Sequence, residues 1–323
     1  RETAMILCIL FVLASSAGLS VVGLVAERAL PAAWPRRWVW GAVIALSVGL
    51  PGIYREHHAL LVAAFTPSPG SEPGRPGLVE PALLAWLEQY ADAIESVWAL
   101  ASATLFAWAA IGAGRGAYVV RRASRRALDP ALDPALDPAP GSGHLAAVGP
   151  ALVDGVPVLV TDALGPATVG VLRPRVLLPR WALALPAAER RYVVRHEAEH
   201  RRAHDGRLLF VASLALLALP WNAIVWWQLR RLHLAVETDC DRRVVRALGD
   251  ARAYGALLYR VAEAARMAPR GSPGLQPALV GRAGMLERRL TALLRPAPYG
   301  AGRRVLLALA AGALLAGVLA VPH

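Results

Sequence analysis

The stretch His196-Glu197-Ala198-Glu199-His200 places two histidines four residues apart, with a glutamate directly after the first. On a helix, residues four apart lie on one face, so both imidazoles can reach a single metal ion. Glu197 lies about 100° further around the helix and can act on a water molecule beside that ion. The pattern therefore predicts a helical metal site with a carboxylate next to it.

A third ligand is predicted in the later run Glu237-Thr238-Asp239-Cys240-Asp241. A catalytic zinc ion takes three protein ligands and keeps its fourth position for water, and Glu237 can complete such a set. Asp241 lies four residues later on the same helix face, where a carboxylate can orient a ligand histidine through its second nitrogen. Cys240 is expected to pack as a small buried side chain behind the ligand, with zinc ligation as the alternative.

The residues around the histidine pair favour a metal site over a charged, solvated helix face. Residues 185–194 carry a proline, then an acid, then apolar residues, which is typical of a helix start. His204 continues the histidine stripe; we expect a helix-end histidine near the dipole, and a ligand in place of Glu237 is the alternative. His233 lies one turn before Glu237 and is a candidate to support a ligand.

The composition points to a membrane. Of 323 residues, 56% are hydrophobic and 10 are tryptophan, which is too apolar for an ordinary soluble domain. Apolar stretches of helical length predict four transmembrane helices, the first of them a retained span rather than a signal peptide. These predicted spans cover about 4–26, 38–54, 97–113 and 303–323.

Charge orients the predicted spans. Arginines between spans one and two, after span three and before span four place those segments on the cytoplasmic side. The mainly acidic loop 55–95 is then outside, as are both termini, in a bacterial plasma membrane. The net charge of +12 fits attraction to an anionic leaflet. No recognition module accompanies it, so direct nucleic-acid binding is not expected.

Two segments connect the spans to the predicted site. Residues 114–149 are basic and proline-rich and predict a solvated linker before a peptidase domain at 150–302. Residues 207–229 are apolar, but a straight crossing would place Glu237 roughly 30 Å from the histidines. Pro220 can end one helix and Asn222 can cap the next, which predicts a membrane-dipping hairpin that returns.

These pieces together resemble the BlaR/MecR family of membrane zinc metallopeptidases, which act as antirepressors. The segments that carry the resemblance include Arg-Pro-Arg-Val-Leu-Leu-Pro at 173–179, the histidine segment 195–207, the acidic run 237–241 and Glu-Arg-Arg-Leu at 287–290. The resemblance covers about 150–295, and the joint spacing is specific although no single piece is.

The resemblance implies one zinc ion per chain, bound by His196, His200 and Glu237. Glu197 would be the general base that takes a proton from the attacking water and later gives one to the leaving amine. Oxyanion stabilisation would come from the zinc and one further donor. The candidates for that donor are Tyr254, Tyr259 and His204.

Two apolar, β-branched segments would form strands beside the cleft, at 156–160 and 169–178. Pro157 and Pro174 would confine them to edge positions or strand ends, and a substrate could add as a further strand. The family's β-lactam sensors carry an extracellular penicillin-binding domain, whereas only 322–323 follow the apolar stretch 305–321 of the last predicted span here. We therefore expect this chain to lack that sensor.

The predicted fold is a mainly α membrane protein of four transmembrane helices with an inserted cytoplasmic, zincin-like (gluzincin) α+β peptidase domain. The predicted function is signal-regulated cleavage of the chain itself or of a cytoplasmic repressor resembling BlaI or MecI, by a monomer or a homodimer. An HtpX- or CAAX-type processing peptidase and a non-catalytic receptor are the alternatives. The first would share the zinc chemistry, and the second would keep the fold without the chemistry.

Overall fold

The computed structural model describes residues 2–31, 34–54, 89–128, 147–161, 165–267, 283–294 and 300–320. Residues 55–88 of the predicted outer loop and 129–146 of the predicted linker lie outside these ranges, whereas 114–128 of that linker belong to a helix. The chain divides into two units. The first comprises Arg1–Ala107, Val211–His233 and Ala297–His323, and the second comprises Trp108–Phe210 and Leu234–Pro296.

The described elements are mainly helical, and four strands form one small sheet. The helices are α1 Glu2–Ala29, α2 Arg37–Tyr54, α3 Ala91–Leu128, α4 Arg180–Leu183, α5 Ala187–Arg202, α6 Asp205–Ser213, α7 Ala215–Ala218, α8 Ala223–Leu248, α9 Ala251–Met267, α10 Ala283–Leu294 and α11 Ala301–Ala320. The strands are β1 Ala147–Val153, β2 Val156–Thr161, β3 Ala167–Val169 and β4 Arg175–Pro179.

Two helices of the first unit are long and apolar enough to cross a membrane. They contain the stretches Ile9–Ala29 in α1 and Ala301–Leu319 in α11. The second and third predicted spans correspond to the shorter apolar stretches Arg37–Pro51 and Ser96–Gly112. The first and fourth predicted spans thus have the required length and composition among the described residues, and four crossings stay a prediction.

A buried polar cluster joins α1, α2 and the start of α8 inside the first unit. The amide nitrogen of Gln228 lies 3.0 Å from each of three oxygens, namely Ser16 O, Ser20 Oγ and Ser47 Oγ. Asn222 Nδ2 donates to Ser16 Oγ at 3.1 Å. Because all five residues are buried, these contacts satisfy polar groups in an otherwise apolar unit.

An ion pair lies further along the same three helices. Arg231 on α8 pairs with Glu27 on α1, and Trp40 Nε1 on α2 donates to the same carboxylate at 3.1 Å. The guanidinium of Arg231 also lies 5.2 Å from the ring centre of Trp40 and 5.9 Å from that of Trp227. These contacts fix the first three turns of α8 against α1 and α2.

The predicted hairpin is interrupted where the sequence places its turn. Helix α7 ends at Ala218 and α8 begins at Ala223. Asn222 Oδ1 accepts hydrogen bonds from the backbone N–H groups of Ile224 at 3.0 Å and Val225 at 3.3 Å, so it caps α8 as predicted. The break and the cap are therefore confirmed, and the dip into a membrane stays a prediction.

The sheet of the second unit has the strand order β1-β2-β4-β3. Strands β1 and β2 pair antiparallel, β2 and β4 parallel, and β3 and β4 antiparallel. Asp154 at φ 48° and Gly155 at φ 77° form the two-residue turn between β1 and β2. Two positive φ angles match the twist of a tight hairpin, for which Asp-Gly is a preferred sequence.

The strand predicted at 156–160 is confirmed as β2, whereas a single strand over 169–178 is wrong. Gly170, at φ 100°, ends β3, and β4 begins only at Arg175. A positive φ suits glycine and breaks an extended strand at that point. Pro157 lies at the start of β2, one residue before its pairing with β4 begins, so the missing N–H costs no hydrogen bond of that ladder.

The sheet packs against α5 and α9 to form the core of the second unit. Val158 and Val176 from the sheet, Val194 from α5 and Leu257 from α9 all belong to one buried cluster. Helix α5 starts after Pro186, whose φ of −49° suits the residue that precedes a helix. The core thereby fixes α5, the helix that carries the histidine pair.

Candidate active site

Three predicted ligands converge in the second unit. His196 and His200 lie one turn apart on α5, and Glu237 lies on α8. The Nε2 atoms of the two histidines are 3.1 Å apart. Glu237 Oε2 lies 3.5 Å from His196 Nε2, and its Oε1 lies 3.6 Å from His200 Nε2. Donor atoms from distant parts of the chain therefore face one point.

These separations fit a tetrahedral metal ion. With bonds of about 2.0–2.1 Å, ligand atoms of tetrahedral zinc lie about 3.3–3.4 Å from one another. The three observed separations lie on either side of that value, and the two that involve Glu237 are each measured to a different carboxylate oxygen. Glu237 Oε2 is also buried without a hydrogen bond of ordinary geometry among the described residues. The donor set thus has the spacing that a zinc ion requires.

The charges around His196 and Glu237 also favour a bound cation. Burial acts to lower the pKa of His196, yet Cys240 and Glu237 beside it raise that pKa to about 10. Burial acts to raise the pKa of Glu237, but Arg289 and the two imidazoles hold it well below its usual range. The anionic side chains therefore stabilise positive charge in this buried site.

Cys240 offers a second donor combination. Its Sγ lies 3.4 Å from His196 Nδ1 and 3.3 Å from His196 O, and the residue is fully buried. His196, His200 and Cys240 present ligand atoms that all lie within 4.8 Å of one another. The sulfur contact is thus to Nδ1 of His196, while Glu237 faces Nε2. The expected burial of Cys240 is observed, and its alternative as a ligand stays open.

Asp241 reaches His196 through a tyrosine hydroxyl. Tyr254 OH lies 2.9 Å from His196 Nδ1 and donates to Asp241 Oδ1 at 2.8 Å, whereas that oxygen lies 3.5 Å from Nδ1 itself. Because the Tyr254 hydroxyl donates its hydrogen bond to Asp241, its oxygen can accept a hydrogen bond from Nδ1–H of His196. The lone pair of His196 is then on Nε2, the atom that faces Glu237.

His200 has its own supporting carboxylate. Asp205 Oδ2 lies 2.8 Å from His200 Nδ1. Arg243 holds this carboxylate through Nη2 at 3.0 Å and pairs with Glu199 Oε2 through Nε at 3.2 Å. Asp205 and Glu199 are both buried. The orientation of His200 is therefore fixed by charges from α5, α6 and α8.

Arg289 is a site residue to which the sequence patterns assign no role. It is 1% exposed and donates to Asp241 Oδ2 from Nε at 2.8 Å and to Asp241 Oδ1 from Nη2 at 2.7 Å. Its third nitrogen, Nη1, lies 3.0 Å from Glu237 Oε2. A signal was present, since Leu286 and Leu293 put Arg289 on the apolar stripe of α10.

Glu197 lies beside the metal ligands and beside the sheet. Thr168 Oγ1 on β3 donates to Glu197 Oε2 at 3.0 Å and lies 2.9 Å from its backbone oxygen. Burial raises the pKa of Glu197, against a lowering influence of the two histidines. An apolar pocket adjoins this carboxylate. Its lining includes Pro166, Val193, Leu257, Leu258 and Val261.

The remaining predicted residues lie elsewhere. Tyr259 is 54% exposed on α9. His204 is exposed between α5 and α6, with φ 55°, which is consistent with a residue just beyond a helix end. His233 is the last residue of α8 that belongs to the first unit. The roles suggested for these three residues stay predictions.

Two histidines and a glutamate that face one point are a donor set typical of a metal-dependent peptidase. The chain belongs to the BlaR1 peptidase M56 family, whose model matches residues 82–293. This confirms the family resemblance seen in the sequence, and together with the two long apolar helices it indicates a membrane protein.

A curated relative is similar over a short stretch. The Regulatory protein BlaR1 of Bacillus licheniformis is 29% identical over 83 residues, which is 26% of this chain and 14% of that protein. The aligned part is therefore a small fraction of the relative's length. No solved structure gives a significant match.

Proposed function

We propose that this chain is an integral-membrane zinc endopeptidase that cleaves a protein substrate. The observation that carries the proposal is the convergence of His196, His200 and Glu237 on one point, with Glu197 beside them. Membership of a peptidase family supports the reaction class. The second unit corresponds to most of the peptidase domain proposed for 150–302.

His196, His200 and Glu237 would hold one zinc ion. When bound, zinc supplies a Lewis acid that polarises the scissile carbonyl and makes a water molecule easier to deprotonate. The chain's own residues prepare this site before the ion binds. Tyr254 and Asp205 hold the Nδ1 atoms of the two histidines, so that both Nε2 atoms face the metal position.

Glu197 is the proposed general base. Thr168 occupies its Oε2, which leaves Oε1 to accept a proton from the attacking water. The raised pKa of this buried carboxyl brings it nearer to neutral pH, where a general base and acid works best. The same oxygen then returns a proton to the leaving amine.

The neighbouring sheet supplies a way to hold an extended peptide. β3 pairs with β4 on one side, and among the described residues its other side is an edge. A substrate strand can add there through main-chain hydrogen bonds, next to Thr168 and therefore next to Glu197. The adjoining pocket is lined mainly by apolar side chains and would take an apolar residue beside the cleaved bond.

The proposed substrate is a cytoplasmic transcriptional repressor resembling BlaI or MecI, or the chain itself. The support is family membership and the name of the relative, a regulatory protein. The protein would then lie in a bacterial plasma membrane, with its peptidase domain on the cytoplasmic side and both termini on the outer side. Signal regulation, four crossings and a homodimer belong to the same proposal.

Zinc content and cleavage of a co-expressed repressor, measured on purified wild type and variants, test the proposal. We expect one zinc per chain in wild type and in Glu197→Gln, with cleavage only in wild type. Glu237→Ala should lose most of the metal. Glu263→Gln removes an exposed carboxylate on α9 and serves as the matched control. Cleavage by Glu197→Gln at the wild-type rate would contradict the assigned base.

Bound zinc without cleavage of the repressor would leave the metal site intact and point to another substrate, to a missing signal or to a receptor. Cleavage of unrelated unfolded membrane proteins would then favour a quality-control peptidase of the HtpX type. Absence of cleavage of every substrate offered would favour a receptor that keeps the fold without the chemistry.

A further inference from the structure

We infer that Arg289 is a positioning residue for the metal site and that it makes α10 a part of that site. The inference rests on the proposed zinc site and adds a component to it. Arg289 contacts the proposed ligand Glu237 directly and contacts Asp241 through two hydrogen bonds. No zinc ligand is predicted on α10 itself.

The geometry of Arg289 uses all three guanidinium nitrogens. Nε and Nη2 form a two-pronged pair with Asp241, and Nη1 forms an ion pair with Glu237 Oε2, 3.0 Å away. A planar guanidinium held at two points cannot rotate, so the position of Nη1 is set by Asp241. The orientation of the Glu237 carboxylate is fixed in turn, with Oε2 toward His196 and Oε1 toward His200.

Charge balance gives Arg289 a second task. Glu237 and Asp241 lie one turn apart on α8, and both are buried, at 5% and 0% exposure. Two buried carboxylates so close together repel each other and lose their hydration. One guanidinium shared between them offsets both effects. It therefore holds the Glu237 carboxylate in place.

Arg289 also reaches a second ligand indirectly. Asp241 accepts the hydroxyl proton of Tyr254, and that hydroxyl lies against His196 Nδ1. One residue of α10 thus supports two of the three proposed ligands, while Asp205 and Arg243 support His200 from the other side. Partners of this kind typically contribute 10- to 100-fold in metal affinity or activity.

Zinc affinity of the full-length protein, measured by competition with a chromophoric chelator, tests this role. We expect Arg289→Gln to bind zinc at least tenfold more weakly than wild type. Arg289→Lys keeps the charge but not the three-nitrogen fork, and should fall between the two. Arg288→Gln, at the exposed neighbouring position on α10, is the matched control and should bind like wild type.

Cobalt(II) alone, bound in place of zinc, supplies a readout that a merely structural role would not change. The visible absorption of cobalt depends on the number and arrangement of its ligands. In Arg289→Gln we expect an altered spectrum at saturating metal, because the Glu237 carboxylate is no longer fixed. Wild-type affinity together with a wild-type spectrum in Arg289→Gln would overturn the assignment.

A second comparison covers the case in which Arg289→Gln fails to fold because Asp241 is left buried and unpaired. The double variant Arg289→Gln/Asp241→Asn removes both charges and is compared with Asp241→Asn alone. The double variant should bind zinc at least tenfold more weakly than the single one, since only it lacks the contact to Glu237. Equal affinities of these two variants would overturn the assignment.

The two proposals fail in different ways. A wild type that binds no zinc overturns the proposed function and this role of Arg289 with it. A wild type that binds zinc and cleaves its substrate, beside an Arg289→Gln that does both equally well, leaves the proposed function standing and removes Arg289 from the site.

Discussion

The carboxylate of Asp205 lies 2.8 Å from Nδ1 of His200, and the side chain of Asp205 is buried. This contact lies on the far side of the imidazole from Glu237. It fixes which ring nitrogen carries the proton, so that Nε2 keeps its lone pair. The proposed site therefore depends on a residue just beyond the end of the helix that carries its histidines.

Asp205→Ala should weaken zinc binding by about 10- to 100-fold, because His200 loses the partner that orients it. Chelator competition on the purified protein measures the change. Asp250→Asn is the control, since asparagine tolerates the φ of 42° at that position and keeps the capping oxygen. Unchanged affinity in Asp205→Ala would show that His200 needs no such support.

Tyr254→Phe separates two roles of its hydroxyl. We expect zinc affinity to fall about tenfold, because the bridge between His196 and Asp241 is lost. A tyrosine that only stabilised the oxyanion would instead lower kcat and leave zinc affinity unchanged. Glu263→Gln, at an exposed position on the same helix, is the control for both measurements.

Cys240→Ser should retain one zinc per chain, because Glu237 rather than the thiol is the proposed third ligand. In the wild type, the Sγ atom of Cys240 contacts Nδ1 and the backbone oxygen of His196. Cys240→Ser should therefore change the zinc affinity only modestly. Metal analysis after dialysis measures the content. Loss of zinc from Cys240→Ser, with retention in Glu237→Ala, would exchange the roles of the two residues.

Gln228→Leu should destabilise the first unit by about 1–2 kcal/mol, because Ser16, Ser20 and Ser47 lose a shared donor in an apolar surrounding. Thermal unfolding in detergent micelles measures the effect. Arg230→Gln changes an exposed residue of the same helix and should unfold like wild type. Equal melting temperatures for Gln228→Leu and wild type would show that the polar cluster is neutral.

Local patterns predicted the parts of the molecule that depend on local geometry. The spacing of His196 and His200 is a property of one helix, and that helix is present as α5. The break at Pro220 and the cap at Asn222 follow from a missing N–H and a short polar side chain. Glu237 can then approach the two histidines because the chain reverses its direction at this break, between α7 and α8.

Features that depend on tertiary packing were not predicted from the sequence. Arg289 is an ordinary arginine in the sequence, and its role appears only when α10 packs beside α8. The sequence names Tyr254 only as a candidate oxyanion donor, whereas its contacts with His196 and Asp241 depend on the direction that the core gives its side chain. The strand at 169–178 was predicted too long, because the positive φ of Gly170 is not visible in a run of apolar residues.

The central claim is that His196, His200 and Glu237 hold one zinc ion. X-ray absorption at the zinc edge of the loaded, full-length protein tests it most directly. The expected result is a first shell of nitrogen and oxygen only, at about 2.0–2.2 Å, from two imidazoles, one carboxylate and water. A sulfur ligand at about 2.3 Å would contradict the claim and assign the third position to Cys240.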